Sequence, residues 1–377
     1  MALRWLMPAL AALLAAALLA WGLSARRMTH PPVWQTHLVA TWPFGQGPAA
    51  LGVETALDGQ EYGPLGFAVA GTRLAIVDTY QSRLVWETRR GEAPARWSRR
   101  SIPDSLLETV VWSGAMRAWL VADNAHLVIW AAAASGVEPW LTIPRRPGTT
   151  ASLWRVVATP GGPVFVEEVV FGRGTYHLAL GSYNARGRLE RELTTAGYPT
   201  VDAAGPPTIL TQVRSFASAP DGELYVELAG TTPQSRTVGV LNRHGSGLRD
   251  AVVLRSPVPI INSQLVGLSR QGRIYLAVNV GLPRRPGLIL VFTPTGRLLL
   301  RIPVPIEAVR AAVYAQVAAD GTVYVDESTR TAYRLVAVEP PAAGRRGTGL
   351  IALGAPAGVR APGGPPAPGL RNGPTTP

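Results

Sequence analysis

The sequence predicts an all-β chain that folds as a six-bladed β-propeller, preceded by one N-terminal transmembrane or signal helix. The first observation is a recurrence: six times an apolar run meets a Gly-containing turn and continues into a second apolar run. The second is its spacing of 43 to 61 residues, about the length of one four-stranded blade. The third is a Gly- and Pro-rich, strand-forming composition. The turn glycines are Gly71, Gly114, Gly161, Gly222, Gly272 and Gly321.

The first and last units define how the ring closes. In the first unit we expect strands over 65–70, 73–78, 83–87 and 96–102. The sixth unit supplies only three, over 314–318, 322–326 and 333–338. Because an unpaired edge strand is a liability, we expect segment 36–42, THLVATW, to add the fourth and close the ring.

The ends of the chain differ from its body. Residues 1–27 read as a signal-anchor or signal peptide, because an apolar run of 21 residues reaches about 31 Å as a helix, one bilayer core. We favour an uncleaved anchor with the body outside the cytoplasm at the cell membrane. Cleavage would instead give a secreted protein. Residues 28–35 form a linker, 36–339 the propeller, and 340–377 a Pro- and Gly-rich tail whose composition predicts disorder.

Composition argues against several classes of function. The net charge is +12, but the two ends contribute half of it, and every basic residue is Arg with no Lys. This pattern does not favour nucleic-acid binding. With no cysteine, disulfides, thiol catalysis and cysteine-ligated metals are excluded. The usual motifs of serine hydrolases, zincins and nucleotide-binding proteins do not occur.

The first repeat, over 43–86, carries a family resemblance. Phe44 and Gly45, then Gly63 and Pro64, lead into an innermost strand, and Asp78 ends the next strand before a polar turn with Arg83. This arrangement resembles the NHL repeat, found in six-bladed propellers of the TolB-like superfamily. The resemblance loosens in later units. It implies the propeller fold but no particular chemistry, since the fold hosts binding scaffolds, lactonases and lyases.

An acidic or amide residue recurs where the second strand of each unit ends. A ring of such groups around a propeller mouth would suit a hard cation such as Ca²⁺ and, with it, an enzyme of the lactonase or lyase type. The favoured interpretation is structural, because Asp in this place commonly accepts backbone N–H groups of the following turn. The residues are Asp78, Asp123, Glu167, Glu227, Asn279 and Asp326.

Histidine and tryptophan give weaker signals. His126, His177 and His244 lie in successive units but at different places within them, so we do not expect them to converge on zinc. The eleven tryptophans would suit sugar binding, but the favoured interpretation is packing between blades. Five of them lie in or beside strand-like runs, namely Trp86, Trp112, Trp119, Trp130 and Trp154.

A basic face offers a binding hypothesis. The tetrapeptide RRPG occurs at 145–148 and 284–287, in loops that a propeller opens on one face. Such a cluster suits an anionic partner, although solvated loops of an Arg-rich chain would look the same. Its residues are Arg145, Arg146, Arg173, Arg236, Arg284 and Arg285.

Together these patterns predict a monomeric, membrane-tethered propeller that binds a protein or an anionic cell-envelope polymer and performs no chemistry. We expect no cofactor and no catalytic residue. The alternative is a metal-dependent propeller enzyme of the lactonase or lyase type, with Ca²⁺ as its candidate metal.

Overall fold

A computed structural model of the chain describes residues 34–57, 59–71, 73–88, 96–145, 149–172, 175–198, 213–241, 247–279, 287–304 and 313–340. One compact unit spans Gln35–Pro340. The predicted anchor over 1–27 and the predicted disordered tail lie outside the described residues, apart from Pro340. No helix in the described ranges combines the length and apolar character that a bilayer crossing needs.

The described residues of this unit include 26 strands, which form six four-stranded antiparallel blades and one short hairpin, β2 (Glu54–Thr55) with β3 (Glu61–Tyr62). From the axis outward, the first three blades are β4 (Gly66–Ala70), β5 (Arg73–Asp78), β6 (Arg83–Thr88), β7 (Arg96–Ser101); β8 (Leu107–Ser113), β9 (Ala118–Asp123), β10 (Val128–Ala133), β11 (Gly136–Thr142); and β12 (Thr150–Ala158), β13 (Val164–Gly172), β14 (Thr175–Tyr183), β15 (Leu189–Tyr198). The fourth and fifth are β16 (Val213–Ser218), β17 (Leu224–Ala229), β18 (Ser235–Leu241), β19 (Leu248–Arg255); and β20 (Asn262–Leu268), β21 (Ile274–Asn279), β22 (Gly287–Phe292), β23 (Leu298–Val304). The predicted six-bladed architecture is confirmed.

The sixth blade joins the two ends of the propeller. It contains β24 (Ala315–Val317), β25 (Val323–Asp326) and β26 (Ala332–Glu339), and its outermost strand is β1 (Gln35–Pro43). β1 pairs antiparallel with β26, and Trp42 lies opposite Tyr333 with their ring centroids 5.9 Å apart. The closing strand predicted over 36–42 is therefore present, and it covers the outer edge of β26.

The innermost strands stand in a ring around the axis. Each of β4, β8, β12, β16, β20 and β24 contacts its two neighbours in that order, and β24 returns to β4. At one junction a Cβ added to Gly66 would lie 2.7 Å from the carbonyl oxygen of Glu108, so only glycine allows the two strands to approach so closely. The ring leaves an axial channel that side chains of all six strands face.

The turn between the first two strands of a blade requires a left-handed residue. Five of the six predicted turn glycines have positive φ, between 62° and 93°. In the second blade Arg117, with φ of 53°, takes the left-handed position instead of Gly114. The repeated glycine is therefore a consequence of hairpin geometry at five of six places.

The hydrophobic core is divided among the interfaces between neighbouring blades. Trp119 is buried in the interface between the first and second blades, and Trp86, Trp112 and Trp130 pack against the same cluster. These four tryptophans confirm the predicted packing role. The prediction for Trp154 was wrong, because 60% of its surface is exposed.

Candidate functional site

The acidic positions on the second strands make separate hydrogen-bond networks. The backbone N–H groups of Leu106 and Ala125 each donate to Asp123 Oδ1 at 3.0 Å. Asp123 Oδ2 lies 2.8 Å from His126 Nδ1 and accepts from Trp130 Nε1 at 3.2 Å. Asp123 thus ties the start of its blade to the turn that follows its strand, as the structural interpretation expects.

Asp78 fixes a segment that precedes the first blade. It accepts the backbone N–H of Gly52 at 2.8 Å and Arg83 Nε at 2.7 Å. Arg83 in turn donates to the carbonyl oxygens of Gly47, at 3.1 Å, and Ala50. A Cβ on Gly52 would lie 2.9 Å from Asp78 Oδ1, so this contact needs glycine. Asp78 and Arg83, two of the positions that resemble the NHL repeat, therefore hold segment 45–52 on the blade.

Glu227 joins the fourth and fifth blades. Its two oxygens accept hydrogen bonds from Ser215 of its own blade and Ser263 of the next. Arg236 Nε lies 3.5 Å from Glu227 Oε1 and donates to Ser263 Oγ at 2.7 Å, and its Nη2 donates to the carbonyl oxygen of Ile260. We call Glu227, Ser215, Ser263 and Arg236 the interblade network. All four residues are buried.

The remaining positions do not add a shared cation site within the described chain. Glu167 lies 3.9 Å from Arg155, and the side chain of Asn279 is outside the described residues. The described part of the chain contains no group of three or more His, Asp or Glu that could hold a metal ion. The side chain of His177 and all of His244 also lie outside it. The calcium site therefore stays a prediction, and so does the expectation that the histidines do not converge on zinc.

Asp326, in the closing blade, makes stability depend on pH. Its side chain is buried and accepts the backbone N–H of Ser328 at 2.9 Å. Burial raises the pKa of Asp326 from 3.8 to about 7, although the hydroxyl and N–H of Ser328 oppose the shift. Because the folded-state pKa lies above the unfolded one, the stabilisation is fully present below pH 3.8 and is lost as pH rises through 7.

We therefore expect the free energy of unfolding to fall by about 1 kcal/mol between pH 6 and pH 8 through this group. Urea denaturation of the wild type and of Asp326→Asn at both pH values measures the effect. The asparagine keeps an oxygen for Ser328 and has no charge, so its stability should change less over this range. Equal pH dependence of the two proteins would contradict the assignment.

Of the predicted basic face, the structure describes only Arg145 and Arg236. Arg145 is exposed and donates from Nη2 to the carbonyl oxygen of Ala125 at 2.7 Å. Arg236 is 3% exposed, because the interblade network holds its guanidinium inside the fold. It is therefore placed as a structural residue, in contrast to the predicted surface role. Arg146, Arg173, Arg284 and Arg285 lie outside the described residues.

The axial channel is the concave site that the described residues build most completely. It has a volume of about 740 Å³ and is lined by residues of all six innermost strands and of the turns that follow them. The charged residues of this lining are Arg73, Arg155, Arg270 and Glu108. The described lining thus carries three positive side chains and one carboxyl group.

Two of these arginines lie over aromatic rings. The Arg73 guanidinium carbon is 4.2 Å from the ring centroid of Trp112, and that of Arg155 is 5.1 Å from the centroid of Phe216. A guanidinium above an aromatic face is held by the ring quadrupole while its N–H edge remains able to donate. The stacking therefore orients two of the channel arginines.

β-Bulges place other side chains on the channel wall. Trp154 is the extra residue of a bulge in β12, since Leu153 pairs with Glu168 and Arg155 with Glu167. Glu108 is the extra residue of a similar bulge in β8, opposite Asp123. Bulges of this kind re-aim a side chain, and they are common beside functional sites. Both lie at the level of the acidic positions, on neighbouring blades.

Glu108 is partly buried in this wall. Burial raises the pKa of its carboxyl group, and a hydrogen bond with the side chain of Asn124 opposes that shift. Glu108 is the single carboxyl group among the described charged residues of the channel lining.

The sequence interpretation missed the channel residues Arg73, Arg155, Arg270 and Glu108, and it assigned Trp154 to packing. A signal was present in runs such as LETVVWS and ASLWRVVA, which interrupt apolar strands with charged and aromatic residues. In an innermost strand such residues have the channel as their route to solvent. The sequence pattern favours loop arginines as the binding site instead, because the bulges that turn the channel side chains inward have no marker in the sequence.

Comparison with known proteins shows no family. No family model matches this chain, and no curated protein matches it either. Among solved structures, a catalytically inactive variant of virginiamycin B lyase from Staphylococcus aureus with quinupristin has 11% identity and a TM-score of 0.45, covering 81% of this chain and 99% of its own. A luciferin-regenerating enzyme has 12% identity and a TM-score of 0.46, covering 81% and 95%. A protein from Lactobacillus plantarum has 14% identity and a TM-score of 0.41, covering 78% and 92%. At these identities the similarity concerns the fold alone.

Proposed function

We propose that this protein is a binding propeller that holds an anionic ligand in its axial channel and performs no chemistry on it. The observation that carries the proposal is the lining, in which Arg73, Arg155 and Arg270 face one cavity with a single carboxyl group, Glu108. Three blades contribute these arginines, so an anion on the axis has cationic donors on several sides. The propeller acts as the scaffold that holds them.

The physical argument rests on how arginine binds anions. A planar guanidinium donates two parallel N–H bonds to a carboxylate or phosphate, and such charge-assisted bonds are stronger than neutral ones. Arg73 stacks on Trp112 and Arg155 stacks on Phe216, so two of the guanidinium groups are restrained before a ligand binds. Less side-chain entropy is then lost on binding.

The cellular setting of this proposal comes from the sequence. Residues 1–27 would tether the propeller to the cell membrane with its body outside the cytoplasm. An anionic polymer of the cell envelope would meet the channel there. The metal-dependent enzyme remains the alternative, and no contact among the described acidic residues favours it.

The test measures anion binding by the full-length chain. Isothermal titration calorimetry at low salt would use tetragalacturonate, tetraglutamate and tripolyphosphate as probes. We expect at least one to bind, with affinity that falls as salt is added. The double variant Arg73→Ala/Arg270→Ala should weaken binding at least about tenfold, because each charge-assisted bond contributes about 1.5–3 kcal/mol.

The control removes the same charge from the outer surface. Arg255 and Arg301 are exposed on the outermost strands β19 and β23, so Arg255→Ala/Arg301→Ala lowers the net charge equally without changing the channel. Binding should then stay within about twofold of wild type. Equal losses in both double variants would place the anion on the general surface, and no binding by any probe would overturn the proposal.

A further inference from the structure

We infer that the anionic ligand is an acidic saccharide, one sugar ring of which stacks on Trp154. This inference rests on the proposed anion-binding function and names the ligand class of the same channel. It begins with Trp154, which, among the described lining residues, is the large aromatic side chain with most of its surface exposed. Other channel aromatics, Trp112 and Phe216, are covered by arginines.

Trp154 exposes the apolar surface of its indole ring to water when no ligand covers it, which is unfavourable. It lies on an innermost strand, where a bulge turns it out of the interblade core and into the cavity. Its neighbours in the strand, Leu153 and Val156, are buried in that core. A tryptophan excluded from the adjacent core and exposed on the wall of a concave cavity suits contact with a ligand.

The channel lining includes several polar side chains among its Ala and Val residues. Thr109, Ser218, Gln264 and Gln316 face the same cavity and offer hydroxyl and amide groups. Arg155 follows Trp154 directly, and Glu108 occupies the matching bulge of the neighbouring blade. The channel thus combines one flat apolar surface, several hydrogen-bonding groups of both kinds and a positive charge excess.

A sugar ring with an acidic group matches that combination. Its C–H face is flat and apolar and fits an indole, its hydroxyl edge donates and accepts hydrogen bonds, and its carboxylate or sulfate pairs with arginine. An extended acidic peptide would satisfy the arginines but has no rigid ring for Trp154. A simple phosphate chain would use neither the indole nor the amide groups.

The experiment separates the sugar ring from its charge. Tetragalacturonate and tetraglutamate carry four carboxylates on their repeating units, but only the first has sugar rings. Calorimetry on the full-length protein should show tighter binding of tetragalacturonate. Trp154→Ala should weaken it roughly tenfold or more, since covering the indole removes on the order of 100 Å² of apolar surface from water.

Two further measurements make the result specific. Trp154→Phe keeps an aromatic face and should recover part of the loss, whereas Phe171→Ala, an exposed aromatic change on β13, should leave binding unchanged. Binding of tripolyphosphate should not depend on Trp154. Two results would rule out the saccharide while leaving the anion site in place. One is equal affinity for tetraglutamate and tetragalacturonate, and the other is an unchanged affinity for both probes in Trp154→Ala. If no anion binds, the proposed function itself fails.

Discussion

Replacing Glu227 with alanine is expected to lower the free energy of unfolding by about 3–5 kcal/mol. The guanidinium of Arg236 would then be buried without its carboxylate, 3.5 Å away in the wild type, and both serine hydroxyls would lose their acceptor. A buried charge without a partner is among the costliest defects in a fold. Urea denaturation at pH 7, followed by tryptophan fluorescence, measures the change.

The interblade network also predicts which strands lose protection from hydrogen exchange first in Glu227→Ala. Ser215 Oγ accepts the backbone N–H of Leu265 at 2.7 Å, so the fourth and fifth blades are joined through a serine that Glu227 orients. Hydrogen exchange should therefore accelerate in β16 and β20 before it does in the first blade. Uniform acceleration across all six blades would contradict a local role at this junction.

Two controls isolate the buried pair. Glu190→Ala removes an exposed carboxylate from the outermost strand β15 and should change stability by less than about 0.5 kcal/mol. The double variant Glu227→Ala/Arg236→Ala should be less destabilised than the sum of the single variants, because the second change removes the unpaired charge. Additive losses would show that the two side chains do not act together.

The fold could be predicted from the sequence because each blade of a propeller repeats the same pattern of strands and turns. Gly71, Gly161, Gly222, Gly272 and Gly321 each occupy a left-handed turn position, and their spacing predicts the blades. Segment 36–42 is predicted to close the ring because the last unit supplies only three strands. Both predictions depend on neighbours close in sequence or on the ends of the ring, and both are confirmed.

The residues that line the channel could not be predicted from the sequence, because the pairing register of the strands determines which side chains face the cavity. Trp154 faces the cavity because its strand gains one residue against β13, and that register is set by pairing between strands. Arg236 was expected on a surface loop, yet its partners Glu227 and Ser263 come from a neighbouring strand and from the next blade. Contacts between blades decide both cases, and the repeat pattern does not specify which polar residues meet there.

A second large loss of stability is expected at Asp78, whose carboxyl group holds segment 45–52 on the first blade. Replacing Asp78 with alanine is expected to lower the free energy of unfolding by about 3 kcal/mol and to release segment 45–52 from the first blade. The N–H of Gly52 would lose its acceptor, and Arg83, which bonds Gly47 and Ala50, would lose the carboxylate that orients it. Hydrogen exchange at the Gly52 amide should accelerate at least about tenfold.

The hairpin of β2 and β3 follows segment 45–52 and supplies the control for this change. Glu54→Ala, an exposed change in the same hairpin, should leave exchange at Gly52 unaltered. Unchanged exchange in Asp78→Ala would contradict the assigned role of the Asp78–Arg83 pair.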